Sequence, residues 1–236
     1  MILLAVESAT ELVGAAVADE SGPRSAAATT GRRRHAETLA PTIDFVCRQA
    51  GVDVRDVDLV AVDVGPGLFT GLRVGVATAK ALGQGLGVPV LGVTSTEILA
   101  YAAFDAGCPT DVLAVVDARR AEVFCARYGR PGADGRPTVL EPPRVLPPGE
   151  LARAAPGFLA VGDGALRYAE HLLGRDGVGV GGPSLGAPSP SALARLALAA
   201  LAGGAEPTPA ADVEALYLRA ADARANFVER PAAARR

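Results

Sequence analysis

The chain has 236 residues, half of them apolar and 21% charged, a length and balance that suit one large domain or two smaller lobes with real cores. Its formal net charge of −3 argues against a protein that captures nucleic acid through its overall field, and the lack of low-complexity tracts argues against disorder outside the tail. Cys47, Cys108 and Cys125 form no CxxC pair, which excludes an obvious metal or disulfide framework and makes a reducing, cytoplasmic setting the expectation.

The opening MILLAVES is too short and too soon interrupted by Glu7 to be a signal segment, so Met1 is expected to begin the mature chain. No stretch reaches the ~20 uncharged residues of a membrane span. Short apolar runs at Ile2 to Val6 and Val13 to Asp19, separated by ESATEL, read as strand, turn and strand, with SAAATT (Ser25 to Thr30) as a weak third strand. The basic run GRRRH (Gly31 to His35) reads as a solvated loop, as do Arg235 and Arg236 in the tail. From His35 to Ala50, apolar residues recur at helical spacing until Gly51 stops them, with Pro41 as an expected irregularity.

Asp58 to Val64 reads as a buried strand, GPGLFTG as a turn, and Gly71 to Leu86 as a second helix ending at Gly87. VPVLGVTS is a fifth strand, and STEILAYAAF a third helix capped by Ser95 or Thr96. The second half repeats the order. Strands are expected at Asp111 to Ala118, Glu122 to Tyr128 and Thr138 to Leu146, then a short helix GELARAA and a strand Gly157 to Gly164. A helix from Ala165 to Leu173, a weak strand VGVGG and a helix SPSALARLALAALAGG follow. Each half is βββαβαβα, as a duplicated two-lobe α/β fold would leave it, with lobes at 1–106 and 107–204 and a C-terminal segment 205–236 that ends in a loose tail.

In such a fold the first hairpin turn of each lobe faces the cleft between lobes. The two turns are ESATE and DARRAE. Glu7 and Asp117 end the preceding strands, where a carboxylate could hold a hydrated magnesium ion. Ser8 and Thr10 add hydroxyls, whereas Arg119 and Arg120 add bulk, and neither turn has the glycines that wrap phosphate with backbone N–H groups. A static phosphate contact through Arg119 and a plain structural role for acids that cap the hairpins both stay open. GPGLFTG is followed by Leu72 and Arg73, not by the Lys-Ser/Thr of a phosphate-binding loop. GxSxG and HExxH motifs are absent, and the two histidines, His35 and His171, read as surface or capping residues.

On a helical wheel Gly71, Gly75, Ala79 and Gly83 make a seam without bulk, Leu72, Val76, Leu82 and Leu86 lie beside it, and Arg73, Lys80 and Gln84 form a narrow polar stripe. The helix therefore has a second apolar side, to be covered by this chain or by a partner.

HAETLAP, GPGLFTGLRVGVATAKAL, PVLGVTSTE and DARRAEVF, in this order, resemble the bacterial TsaB family, also called YeaZ; VGDGA and LYLRAADA are weaker matches. The resemblance implies an actin-like, sugar-kinase and Hsp70-like duplicated fold. It implies a non-catalytic partner of a TsaD-like protein, working with a TsaE-like ATPase to form threonylcarbamoyladenosine next to the tRNA anticodon, with ATP and metal held by the partner proteins. It also implies a contact made by the first two helices, to a TsaD-like protein or in a homodimer, carried over here to Leu39, Ile43, Val46, Leu72, Val76 and Ala79. Two residues depart from the family pattern: Glu7 stands where Asp is usual, and Leu68 where Ser is frequent. A nucleotide cleft at Glu7, Ser8, Thr10, Asp117 and Arg119 would then be vestigial, and direct contact with tRNA stays open. The rival reading is an independent ATPase or small-molecule kinase of the same fold.

Overall fold

The computed structural model describes residues 1–31, 35–153 and 156–219, the side chain of Ala152 excepted. The arginines of GRRRH and the expected loose tail, with Arg235 and Arg236, lie outside the described residues.

Alternating and continuous apolar runs build two five-stranded mixed sheets. In the first, β1 (Leu3–Glu7), β2 (Leu12–Asp19) and β3 (Gly22–Thr30) form an antiparallel meander, and β4 (Leu59–Gly65) and β5 (Val90–Thr94) add in parallel on the other side of β1, giving the order β3-β2-β1-β4-β5. The second repeats this with β6 (Asp111–Arg119), β7 (Glu122–Pro131), β8 (Pro137–Leu146), β9 (Phe158–Val161) and β10 (Val178–Val180), in the order β10-β9-β6-β7-β8. The duplication expected from the sequence is thus present in topology as well as in element order.

The helices of the first half are α1 (His35–Ala50), α2 (Phe69–Leu86) and α3 (Ser95–Asp105); α1 continues through Pro41. Thr94, rather than Ser95 or Thr96, caps α3, its hydroxyl accepting from Glu97 N–H at 3.3 Å. The third strand is longer than SAAATT, because its pairing with β2 continues to Gly22. In the second half the short helix is a 3-10 segment, Pro148–Arg153. The expected strand to Gly164 stops at Val161, because Gly162 turns the chain at φ 103° into α4 (Asp163–Arg167), and a 3-10 turn, Ala169–His171, replaces the rest of that helix. α5 (Pro190–Ala202) starts at the Ser189 cap, whose hydroxyl accepts from Ala192 N–H.

α5 follows the second half in sequence but packs on the first sheet, where Leu193, Leu196 and Ala197 join Leu3, Ala5, Ala16 and Ala61 in one core. α3 lies between the sheets: Ile98 belongs to that core and Leu99 to the core of the second sheet. The halves therefore share a packed helical layer. The segment after α5 returns along α2. Thr208 exchanges two backbone hydrogen bonds with Val90, Lys80 Nζ donates to the Val213 carbonyl, and Leu216 N–H donates to the Val64 carbonyl. Among the described residues no helix is long and apolar enough to cross a membrane.

Candidate functional site

β1 and β4 run in parallel with Val6 beside Val62, which sets the next residues, Glu7 and Asp63, side by side at the carboxyl ends of their strands. Both are wholly buried. Glu7 Oε1 accepts from Ala9 N–H at 2.9 Å; Asp63 Oδ1 accepts from Gly65 N–H at 2.7 Å and from Ser95 Oγ at 2.6 Å. The remaining oxygens, Glu7 Oε2 and Asp63 Oδ2, are buried with no hydrogen-bond donor, and two carboxyls set side by side in such surroundings favour a shared proton. Burial, then the charge of Asp63, raises the Glu7 pKa well above the carboxylate range. Burial likewise pushes Asp63 up to about 6. Glu7, where the sequence left a magnesium ligand open, thus lies buried beside a second acid. Among the described residues no group of three or more His, Cys, Asp or Glu side chains could hold a metal ion.

The rest of the first turn is also occupied. Ser8 Oγ donates to the Gly71 carbonyl at 2.9 Å, Thr10 Oγ1 accepts from Leu12 N–H at 3.3 Å, and the buried His35 lies with Nε2 2.7 Å from the Thr10 carbonyl. That contact makes Nε2 the protonated nitrogen. His35, expected at the surface or as a cap, instead ties α1 to this turn.

The glycine-rich turn presses against the same backbone. A Cβ on Gly67 would lie 2.1 Å from the Ala9 carbonyl oxygen, one on Gly71 would lie 2.1 Å from that of Ser8, and Leu68 N–H donates to the Ala9 carbonyl at 2.7 Å. The space a phosphate would need is thus filled by the first hairpin, and the glycines serve close approach of backbone to backbone. Further along α2, a Cβ on Gly75 would meet Ser8 Oγ at 2.3 Å and one on Gly83 would meet Ala210 at 2.6 Å. The seam of small residues therefore belongs to contacts within this chain.

The second turn reaches the first. Arg119 donates from Nη1 to Asp117 Oδ2 at 2.9 Å and from Nη2 to Glu11 Oε1 at 2.5 Å. Asp117 is 3% exposed; it also accepts from Arg119 N–H at 2.9 Å and from Arg167 Nη1 at 3.4 Å, while its own N–H donates to Asp163 Oδ1. Arg119, Arg120 and Ala121 all have φ between 55° and 62°, a left-handed run without glycine that costs about 1–2 kcal/mol per residue. Of the ion pairs set against this strain, Arg119 with Glu11 joins the two halves.

Sequence reasoning placed Glu7, Ser8, Thr10, Asp117 and Arg119 at the two turns. It missed Asp63, Glu11, Ser95, Asp163 and Arg167, which complete their contacts. Asp63 could have been found, since it ends an apolar strand run just as Glu7 does.

The six side chains expected at a partner contact, Leu39, Ile43, Val46, Leu72, Val76 and Ala79, are each 8% exposed or less and packed in this chain's own cores. The helices meet solvent through other residues. α1 exposes Ala36, Ala40, Pro41 and Phe45, with Asp44 and Arg48 paired to each other, and α2 exposes Phe69, Arg73, Ala77 and Ala81. Between them runs an apolar groove of about 380 Å³ lined by Ala40, Ile43, Cys47, Thr78 and Leu82. At the start of α2, Arg73 lies 3.9 Å over the Phe69 ring, which packs on Tyr217 with centroids 5.4 Å apart.

A family model described as "TsaD: tRNA N6-adenosine threonylcarbamoyltransferase" matches residues 27–152. The Escherichia coli tRNA threonylcarbamoyladenosine biosynthesis protein TsaB is 33% identical over 130 residues, covering 55% of this chain and 56% of that protein. An uncharacterized protein of Mycobacterium tuberculosis is 39% identical over 142 residues, 58% of this chain and 62% of that one. The chain spans about half the length of the curated relatives it matches. In three dimensions it is similar to YeaZ from Pseudomonas aeruginosa, with a TM-score of 0.79 at 30% identity, over 92% of this chain and 99% of that one. The ethanolamine utilization protein EutJ from Carboxydothermus hydrogenoformans, 13% identical with a TM-score of 0.50 over 85% of this chain, shares the fold alone.

Proposed function

The chain belongs to the TsaB (YeaZ) family with its duplicated actin-like fold, and from that premise we propose that it is a non-catalytic subunit of the machinery that makes threonylcarbamoyladenosine in tRNA. In this reading it acts in the cytoplasm, binds a TsaD-like protein directly and works beside a TsaE-like ATPase, with nucleotide and metal carried by those partners. The observation that carries the reading is the contrast between its two candidate surfaces. The cleft, where a relative of the same fold would hold a nucleotide, is filled by Glu11, Arg119, Asp117 and the hairpin backbone. The outer face of α1 and α2 is open, its exposed charges being Glu37, the Asp44–Arg48 pair and Arg73, with small residues at Ala40, Ala77 and Ala81 that let another helix approach closely.

We therefore centre the proposed contact on exposed neighbours of the buried residues, Ala77 beside Val76 on α2 and Asp44 and Ala40 flanking Ile43 on α1. Arg73, Phe69 and Tyr217 extend that face at the start of α2, with the aromatic and arginine side chains that most often dominate binding energy. Co-purification with a TsaD-like protein tests the reading. The Ala77→Arg variant, folded as judged by circular dichroism, should lose the partner; undiminished binding would refute this face as the contact.

A further inference from the structure

The strap Leu216–Arg219, which has no helix or strand of its own, crosses from the first half of the molecule to the second. Leu216 N–H donates to the Val64 carbonyl at 2.7 Å, near the end of β4. Tyr217 lies on Phe69, the first residue of α2. Leu218 packs against the core of the second sheet. Arg219 Nη1 donates to the Ala118 carbonyl at 3.3 Å, and its Nη2 pairs with Glu122. Ala118 and Glu122 flank the left-handed run Arg119–Ala121, so the strap is fastened at one end to the sheet beneath α2 and at the other to the second hairpin turn.

Between these fastenings one ring stays open. Tyr217 is 47% exposed and Phe69 44%, although the strap residues on either side of Tyr217 are partly buried. Arg73 lies exposed over the Phe69 ring, and α2 carries no acidic residue beside it. Aromatic rings and a guanidinium open to solvent in one patch are the side chains that most often anchor a partner.

We propose that this patch is an anchor point for the TsaD-like partner, built by both halves of the chain, and that Arg219 and Glu122 are its positioning residues. It takes an apolar side chain against Phe69 and Tyr217, next to a carboxylate that faces Arg73. The inference rests on the partner contact proposed above, and adds that the second half of the chain sets part of it. Phe69 is fixed by its helix, but Tyr217 belongs to an irregular strap, whose backbone is held only from its two ends. Leu216 supplies one hold, and Leu218 with Arg219 the other. Without Arg219 the strap regains backbone freedom, and ordering it again on binding costs affinity. Any displacement of the second hairpin turn is likewise passed along the strap to Tyr217.

Titration of the full chain with the TsaD-like protein tests the proposal, with thermal melts alongside. Tyr217→Ala should weaken binding by roughly tenfold or more, and Arg219→Ala and Glu122→Ala each by roughly threefold or more, with thermal midpoints close to the wild type. Hydrogen exchange of the strap should quicken in Arg219→Ala. The double variant Glu122→Arg, Arg219→Glu rebuilds the bridge with its charges reversed and should bind more tightly than either alanine variant, a recovery that a direct contact from Arg219 to the partner would not give. Full affinity in Tyr217→Ala or in Arg219→Ala, or an exchanged pair that binds no better than the alanine variants, would overturn the proposal. Ala77→Arg keeps the two readings apart: if it loses the partner while Tyr217→Ala and Arg219→Ala bind normally, the outer face of α2 stands and the anchor falls.

Discussion

Arg119 on the second hairpin turn bridges 2.5 Å to Glu11 on the first, and with its other nitrogen holds the buried Asp117. The two turns that bound the cleft are thus bound to each other. Replacing Arg119 with Ala would leave Asp117 with Arg167 alone among arginine side chains, at 3.4 Å, and Arg167 is itself 56% exposed. The expected loss is about 1–2 kcal/mol, since the removed pair is partly solvated but its acid is not. Denaturant melts measure it, and hydrogen exchange should quicken in both turns together, because they share the contact.

The buried pair Glu7 and Asp63 gives the protein a pH dependence of known sign. Both carboxyls bind their protons more tightly folded than unfolded, so their contribution to stability is complete below about pH 4, where the unfolded chain is also protonated. It is lost as pH rises through about 6, the folded value for Asp63, and further as Glu7 ionises. In Asp63→Asn, the amide oxygen can keep the bonds from Gly65 and Ser95, and the amide N–H can replace the shared proton toward Glu7. Unfolding free energies between pH 4 and 8 should fall by on the order of 2 kcal/mol less in the variant than in the wild type.

Glycines within one helix should respond with opposite signs. Gly85 has open space where a Cβ would go, so Gly85→Ala should stabilise by about 0.5–1 kcal/mol through helix propensity alone. Gly71 has the Ser8 carbonyl at 2.1 Å from that position, and Gly71→Ala should destabilise by about 2–4 kcal/mol as the first turn is displaced. Thermal midpoints of the two variants decide it.

The strands were legible in the sequence because short apolar runs between turn residues leave few alternatives, and the repeated order of elements disclosed the duplication. α2 shows where such reasoning stops. Its wheel established that Gly71, Gly75, Ala79 and Gly83 share a side, but a wheel says which side is covered and not by what. The cover is the Ser8 turn and the segment around Ala210, distant in sequence and close in space. The same limit hid the polar stripe's role, since Lys80 reaches the Val213 carbonyl instead of open solvent. It hid Asp63 as the mate of Glu7, because only the parallel register of β1 and β4 brings them together. It also hid α5, whose apolar pattern reads the same whichever sheet it packs against.

Adjacent residues on α2 separate core from contact. Val76 is 8% exposed, and Val76→Arg should unfold the chain or cost about 3–5 kcal/mol, whereas Ala77→Arg should leave the thermal midpoint within a few degrees. A binding defect in the first variant alone would report misfolding and not an interface.

Reconstitution tests the central claim most directly: tRNA, a TsaD-like protein, a TsaE-like ATPase, ATP and the remaining substrates, with and without this chain, and threonylcarbamoyladenosine measured by mass spectrometry of the digested tRNA. Product formation should depend on the chain, survive Arg119→Ala at the cleft, and fall by roughly tenfold or more with the folded Ala77→Arg variant, as expected when about 1.4 kcal/mol or more of binding is removed. Equal product in the absence of the chain would contradict the account.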